Sequence, residues 1–517
     1  MVERIDPQNW KVDLPAFQEK TAAFYAGEVD KNAYKGFSGL YGSYAQKGGQ
    51  ASMLRLRMPG GRVTKKKMAF VAESIRKEGV KRAHFTTCET IQLHDLSGEQ
   101  VCRIMESALD VGIVTMGGGG DFPRNVMCAP LSGVQKGEYF DVLPWAEAAG
   151  EYLMHFVKAE KMPRKLKVGF SNAPENVTHA TFRDLGFVAR PDGNFDVYSA
   201  GGLGNNPKFG VKVADNVSPT KILYYIKAMW LTFRTYGNYE NRGKARTRYM
   251  QDVCGGPEGY AKAYHEKLQE VFASGEDLEL QVEEPVLSKS GNGTTVSGKR
   301  IREQKQQGLY TVVWHPIGGM PNLDVLCAVS DAMQTMDSVE LRIAPDETVY
   351  LINLTGDEAE KMLAITESDS ATTLFETSVS CIGAATCQVG VRDSQGLLAA
   401  CIEKVREANL PDGALPQIHI SGCPSSCGTH QTGVLGFRGG SKVVDGKAQP
   451  AFNLFIGGCD RQGEEAMGGE IGAILEEKIP AFLVELGKTV VATGEDFMSW
   501  FAKNPDNVAA LAAKYLV

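Results

Sequence analysis

The sequence predicts an α+β fold made by duplication: two half-domains of βαβ character that pair into one sheet-and-helix unit, each followed by a larger α/β domain. Three observations predict it. At 517 residues the chain is too long for a single core and calls for several compact units. It aligns with itself at an offset of 258: Gly60-Gly61 in RMPGGRV returns as Gly318-Gly319 in HPIGGMP, and IQLHDLSGEQ from Ile91 returns as VYLINLTGDE from Val349. Within each copy, apolar residues switch between alternation and helical spacing at matching places.

Residues 1–49 are expected to form an N-terminal arm. The first ferredoxin-like half-domain is expected over 50–123. Its strand MLRLRMPGG runs into a Gly-Gly turn, and Met68, Val71 and Ile75 keep i, i+3, i+7 spacing on the helix that follows. HFTTCETIQLHDL supplies the middle strands, and Ser97 with Gln100 makes a capping box for a second helix. The second half-domain, 308–376, repeats this with Leu326, Val329 and Met333, then VELRIAPDETVYLINL, then Thr355 with Glu358. The larger α/β domains are expected at 124–307 and 377–517. They correspond more loosely: Cys128 in RNVMC falls opposite Cys381 in SVSC at an offset of 253, and Gly201-Gly202 in FDVYSAGGLG opposite Gly457-Gly458 in FNLFIGGC at 256.

Composition narrows the function. With 43% hydrophobic and 23% charged residues the chain reads as an ordinary soluble protein. A net charge of −7 argues against general nucleic-acid binding, and no apolar run is long enough for a membrane span. The start, MVERIDPQNWKVD, resembles neither a signal peptide nor a transit peptide. Eleven cysteines, an odd number, suit a reducing compartment better than a disulfide framework, so a cytoplasmic protein is expected.

Four of those cysteines stand apart: Cys381 and Cys387 in SCIGAATC, and Cys423 and Cys427 in GCPSSC, a Cys-x5-Cys and a Cys-x3-Cys pair separated by 35 residues. Four thiolates suit a soft metal centre, an Fe–S cluster or zinc, and the spacing is wider than the Cys-x2-Cys of structural zinc knuckles. Three basic stretches precede them. Arg55 and Arg57 alternate along the MLRLRMPGG strand, Arg124 lies in DFPRNVMC, and Lys165 and Lys167 alternate in MPRKLKVGFS. Pairs of this kind are usually solvated strand faces; here they accompany the cysteine motif.

Together these motifs resemble the siroheme-dependent sulfite and nitrite reductases, closest to the assimilatory-type sulfite reductases, over residues 50 to 460 at least. The resemblance implies a pseudo-twofold, three-domain architecture and a [4Fe–4S] cluster held by Cys381, Cys387, Cys423 and Cys427, the last also bridging to the siroheme iron. It implies that Arg55, Arg124, Lys165 and Lys167 hold the substrate's oxygens and supply protons, and that Arg57, Arg246 (where the family has a lysine) and Gly201, Gly202, Gly457 and Gly458 contact siroheme. The implied activity is six-electron reduction of sulfite to sulfide, or of nitrite to ammonia. Lacking a nucleotide fingerprint, the chain is expected to take electrons from ferredoxin or a flavoprotein reductase subunit, with Lys65 to Lys67, Lys77, Lys81 and Arg82 as a docking patch.

Sulfite is favoured because Lys167 stands where nitrite reductases of the family often have asparagine. A pyramidal dianion with three oxygens uses a fourth cation that a flat monoanion does not need. The sequence also departs from the family. Cys88 occupies the place of a siroheme-contacting arginine and Val434 that of an acidic residue, while His430 beside the cysteine motif is expected to be a packed loop histidine rather than a donor to the cluster ligands. A structural metal-binding protein without catalysis is the alternative from another class, and it leaves the repeat and the cationic strands unexplained.

Overall fold

The computed structural model describes residues 4–283 and 285–517, so residues 1–3 of the expected arm and residue 284 lie outside the described residues. The chain divides into two compact units, one of residues 1–202, 206–314 and 321–368, the other of 203–205, 315–320 and 369–517.

In the first unit both half-domains form as the repeat predicts. Strands Ser43–Ala45, Ser52–Leu56, Arg82–Phe85 and Ile91–Leu96 return without a gap as Ile301–Glu303, Tyr310–Trp314, Glu340–Ile343 and Val349–Leu354. Both capping boxes are made, Ser97 with Gln100 and Thr355 with Glu358. The halves are joined in two ways. Helices Lys65–Glu78 and Leu323–Gln334 pack on each other, and the short strand Arg62–Val63 of the first half adds antiparallel to Glu340–Ile343 of the second. The repeat puts Met320–Pro321 at the position of that short strand, and proline has no N–H for a ladder; only one half lends a strand to the other. Leu54, Val71, Leu93 and Ile104 are buried in the same core as their counterparts Val312, Val329, Leu351 and Met362.

The N-terminal segment is not a loose arm. It folds into a 3-10 turn (Pro7–Asp13), helices Leu14–Tyr25 and Lys31–Ser38 and the strand Ser43–Ala45. Trp10, Leu14, Phe17 and Tyr41 join the half-domain core. Burial of these aromatic side chains holds the segment to the half-domain.

Each larger domain is built on a five-stranded sheet of one topology. In the first unit the order is Val211–Val217, Phe195–Ser199, Leu185–Ala189, Val168–Ser171, Met127–Cys128; in the second it is Gly469–Leu475, Lys447–Ile456, Leu435–Val444, Ile418–Ser421, Val379–Ser380. The last three strands of each are parallel and the others antiparallel.

Strand register corrects the looser sequence alignment. Cys128 pairs with Phe170, and Ser380 with Ile420, so the residue that answers Cys381 is Ala129, not Cys128. Leu185 pairs with Ser199, and Leu435 with Ile456, so Gly201 answers Gly458, and Ala200 answers Gly457. Between these landmarks SNAPENVTHATFRDLGF matches SGCPSSCGTHQTGVLGF without a gap, and the left-handed residues Asn176 and His179 recur as Ser426 and Thr429. Ala173 and Val177 therefore stand where Cys423 and Cys427 do.

Candidate functional site

Three of the basic residues, Arg55, Arg57 and Arg124, gather in the first unit around the four-glycine run Gly117–Gly120. Arg55, in the strand Ser52–Leu56, and Arg124 both donate to the carbonyl of Gly118, and Arg124 Nη2 also donates to Gly120 O at 2.9 Å. Arg124 Nε is buried without a partner. Burial, with Arg55 nearby, brings the Arg124 pKa down to about 10. Two half-buried guanidiniums sharing one carbonyl keep unspent positive charge, which an anion would relieve.

Arg57 is tied to backbone carbonyls. It is 3% exposed and its guanidinium donates to Met116 O (3.2 Å), Pro123 O (2.9 Å) and Arg124 O (3.2 Å). It braces the glycine-rich segment. The glycines make this possible: a Cβ on Gly117 (φ +72°) would come 2.7 Å from Arg57 Nη1. The unread signal was MGGGGDFPR itself, a run that lets carbonyls close on two arginines.

Lys165 and Lys167 are half-buried and alternate about the buried Leu166, as expected, but they precede the strand Val168–Ser171 rather than lying in it. Lys167 Nζ donates to Cys88 Sγ at 3.1 Å. The thiol is thus drawn into the basic cluster at the place where the resemblance puts an arginine. Burial alone would push the Cys88 pKa up, but Lys167, Arg183 and Arg55 outweigh it and bring it down to about 6.

Sequence reasoning missed Asp184. It is 1% exposed and accepts from Lys167 N (2.7 Å), from Arg246 Nη2 (2.9 and 3.0 Å) and from the Thr247 hydroxyl. Arg246 is therefore committed to a buried carboxylate, which differs from a cation free for siroheme, although its Nε is unpartnered. With Lys244, Tyr236, Tyr249 and Asn206 it lines a cavity of about 410 Å³. Glu89, next to Cys88, was also missed. It is fully buried, accepts from Cys128 N at 2.9 Å and leaves Oε1 without a partner; burial raises its pKa well above the ordinary carboxyl value.

In the second unit the two cysteine motifs begin at one end of two parallel strands. Cys381 directly follows Val379–Ser380, and Cys423 lies two residues beyond Ile418–Ser421. Backbone bonds tie the loops together: Cys381 N donates to Ile420 O (3.2 Å), and Val391 N and Arg392 N to Gly422 O (3.1 and 2.8 Å). Gly422 N donates to Cys381 Sγ at 3.2 Å. None of the four thiols is in a disulfide; Cys427 is exposed and the other three partly so. Thr386 and Ser426, each next to a motif cysteine, keep buried hydroxyls without a partner. Four reduced thiols on converging loops with spare donors beside them fit a thiolate-ligated cluster. Among the described residues no three His, Cys, Asp or Glu side chains are gathered closely enough to hold a single metal ion.

His430 is fully buried against Phe455 with neither ring nitrogen partnered, and burial, with Arg438 and His419 adding to it, lowers its pKa to about 3. It is a neutral packing residue. The glycines also differ from expectation. A Cβ on Gly201 would lie 2.6 Å from Phe182 and one on Gly458 2.5 Å from Gly433 O, so each is required by its own neighbouring backbone. Gly202 and Gly457 are less crowded.

The expected docking patch is largely spent. Lys65 and Lys66 donate to the carbonyls of Met336 and Asp110, Lys77 pairs with Glu73, and Arg82 with Asp95. Among the described residues no helix is long and apolar enough to cross a membrane.

Comparison with known proteins agrees with this architecture. Residues 44–111 match the family described as "Nitrite/Sulfite reductase ferredoxin-like half domain", and residues 119–271 match "Nitrite and sulphite reductase 4Fe-4S domain". The second match falls on the copy that lacks the paired cysteines. Relatives include a ferredoxin–nitrite reductase of Synechococcus elongatus, 25% identical and covering 84% of this chain and 86% of that protein. Others are sulfite reductase [ferredoxin] 1 of Mycolicibacterium paratuberculosis (24%; 78% and 73%) and the sulfite reductase [NADPH] hemoprotein beta-component of Bacillus subtilis (24%; 78% and 75%). The solved NirA protein of Mycobacterium tuberculosis shares the fold, with a TM-score of 0.78 at 21% identity over 95% of this chain and 94% of that one. The fold and both matched regions are those of the nitrite and sulphite reductases, enzymes that work with siroheme and a [4Fe–4S] cluster.

Proposed function

We propose that this enzyme reduces sulfite to sulfide by six electrons. The reading is supported by the convergence of Arg55, Arg124 and Lys167 in one unit, with Arg183 as a further cation close enough to act on Cys88. In this reading Cys381, Cys387, Cys423 and Cys427 would hold the cluster, and Cys427, the exposed thiol, would also serve siroheme. The chemistry these cofactors would supply is single-electron transfer. The chain's own contribution is a pocket of fixed positive charge. Arg55 and Arg124, held by Gly118, would stabilise charge developing on the departing oxygens without having to reorganise. Lysine, a mobile donor, is suited to give up a proton and recover it, so Lys165 and Lys167 are the proposed proton donors.

The same reading assigns half-domain roles to 50–123 and 308–376 and cofactor-binding roles to 124–307 and 377–517. Electrons would come from ferredoxin or a flavoprotein reductase subunit, the two donor types that relatives' names carry. Eleven cysteines outside any disulfide suit a cytoplasmic, reducing setting.

Nitrite is the second reading, favoured by one observation: the Cys88–Lys167 contact sets an anionic group against one of the four expected cations. Steady-state kinetics on both anions with a chemical electron donor decide between them. The expected result is a higher kcat/KM for sulfite, with the preference reduced in Lys167→Asn. A native preference for nitrite would overturn the assignment.

A further inference from the structure

Cys88 lies outside both cysteine pairs, yet it is fixed with unusual care. It sits in the turn Thr86–Thr90 between the strands Arg82–Phe85 and Ile91–Leu96. Thr86 Oγ1 accepts from Cys88 N (3.3 Å) and Thr90 N (3.2 Å), and Asn125 Nδ2 donates to the carbonyls of Cys88 and Glu89, both at 3.1 Å. Its partner is equally constrained, since Asp184 holds the backbone N–H of Lys167. The duplicated turn supplies a second indication: TTCET returns as APDET, with Asp346 where Cys88 stands. An anionic side chain fits this turn in both copies.

We propose that Cys88 is a positioning residue that sets anion selectivity: by holding the Lys167 ammonium it withdraws one cation from the substrate pocket and penalises a dianion more than a monoanion. The inference rests on the proposed reduction of sulfite or nitrite in this pocket. Repulsion from a thiolate scales with the charge of the anion, so its removal helps sulfite more than nitrite. The low pKa of the thiol, about 6, supports a thiolate at neutral pH, with Lys167, Arg183 and Arg55 the charged groups that face it. A thiol at the position of an arginine thus changes the pocket by two charges.

The test uses the cofactor-loaded enzyme with Cys88→Ser, which removes the charge, and Cys88→Asp, which restores it. Dissociation constants for sulfite and nitrite are measured by optical titration alongside KM and kcat. In Cys88→Ser the sulfite-to-nitrite preference should rise about fivefold to tenfold, mostly through binding and KM; Cys88→Asp should return it to within twofold of native. A ratio unchanged in Cys88→Ser, or one that Cys88→Asp fails to restore, overturns the inference. Alkylation of the native chain by iodoacetamide at pH 7, followed by peptide mass spectrometry, reads the pair without any variant of Cys88. Cys88 should react faster than Cys254, and Lys167→Met should slow it; equal rates overturn the inference. If the native enzyme binds both anions and reduces neither, the proposed reaction fails, while the ratio of dissociation constants still decides the role of Cys88.

Discussion

Replacing Asp184 by Asn should be among the most damaging single changes in the first unit. The carboxylate is buried and accepts from Arg246, from the Thr247 hydroxyl and from the backbone N–H of Lys167. Removing one partner of a buried ion pair costs about 3–5 kcal/mol, because the other charge is left uncompensated. Asparagine keeps one acceptor oxygen and recovers about 1 kcal/mol of neutral hydrogen bonding. The net loss is about 3 kcal/mol, which lowers the melting temperature by roughly 6 °C at about 2 °C per kcal/mol for a unit this large. Calorimetric melting of the native chain, Asp184→Asn, Arg246→Met and the double variant measures it. The double variant should lose clearly less than the sum of the singles, since it leaves no buried charge unpaired. Lys167 should also lose its fixed position, so sulfite turnover should fall with stability. A melting point within 1 °C of native for Asp184→Asn would refute the reasoning.

Gly458→Ala should destabilise the second unit markedly, because its Cβ would meet Gly433 O at 2.5 Å, whereas Gly457→Ala meets open space and suffers only its left-handed φ of 83°, about 1 kcal/mol; melting curves rank the two. Cys427→Ser should lower the iron content and alter the visible spectrum, while Cys254→Ser should leave both intact; native protein should hold about five irons, one cluster and one siroheme. Glu89 carries its proton in the folded chain to higher pH than in the unfolded chain. Folding therefore takes up a proton above the ordinary carboxyl range, and this group's contribution to stability falls as pH rises from there. Glu89→Gln should accordingly raise the melting temperature more at pH 8 than at pH 5, and a gain that shrinks with pH would contradict the assignment.

The sequence by itself determined the duplication, the strand and helix order of both half-domains, and the four cysteines that mark the second copy. These signals are local or periodic. A repeat at constant offset survives because each copy must bury one face of its own sheet, and a thiol motif is legible because few other uses call for that spacing. Tertiary structure decided the rest. Strand register moved the counterpart of Cys381 from Cys128 to Ala129 and that of Gly458 from Gly202 to Gly201, because pairing depends on hydrogen bonds between distant strands that a loose alignment does not contain. It gave Arg57 backbone carbonyls and Arg246 the Asp184 carboxylate as partners, neither of which the sequence names. It also showed that Lys167, the residue on which the substrate assignment rests, reaches a thiol 79 positions away in sequence. A charged residue's type is written in the chain, but what its charge can still act on depends on the groups folding brings beside it, and at short range in a buried setting those partners dominate.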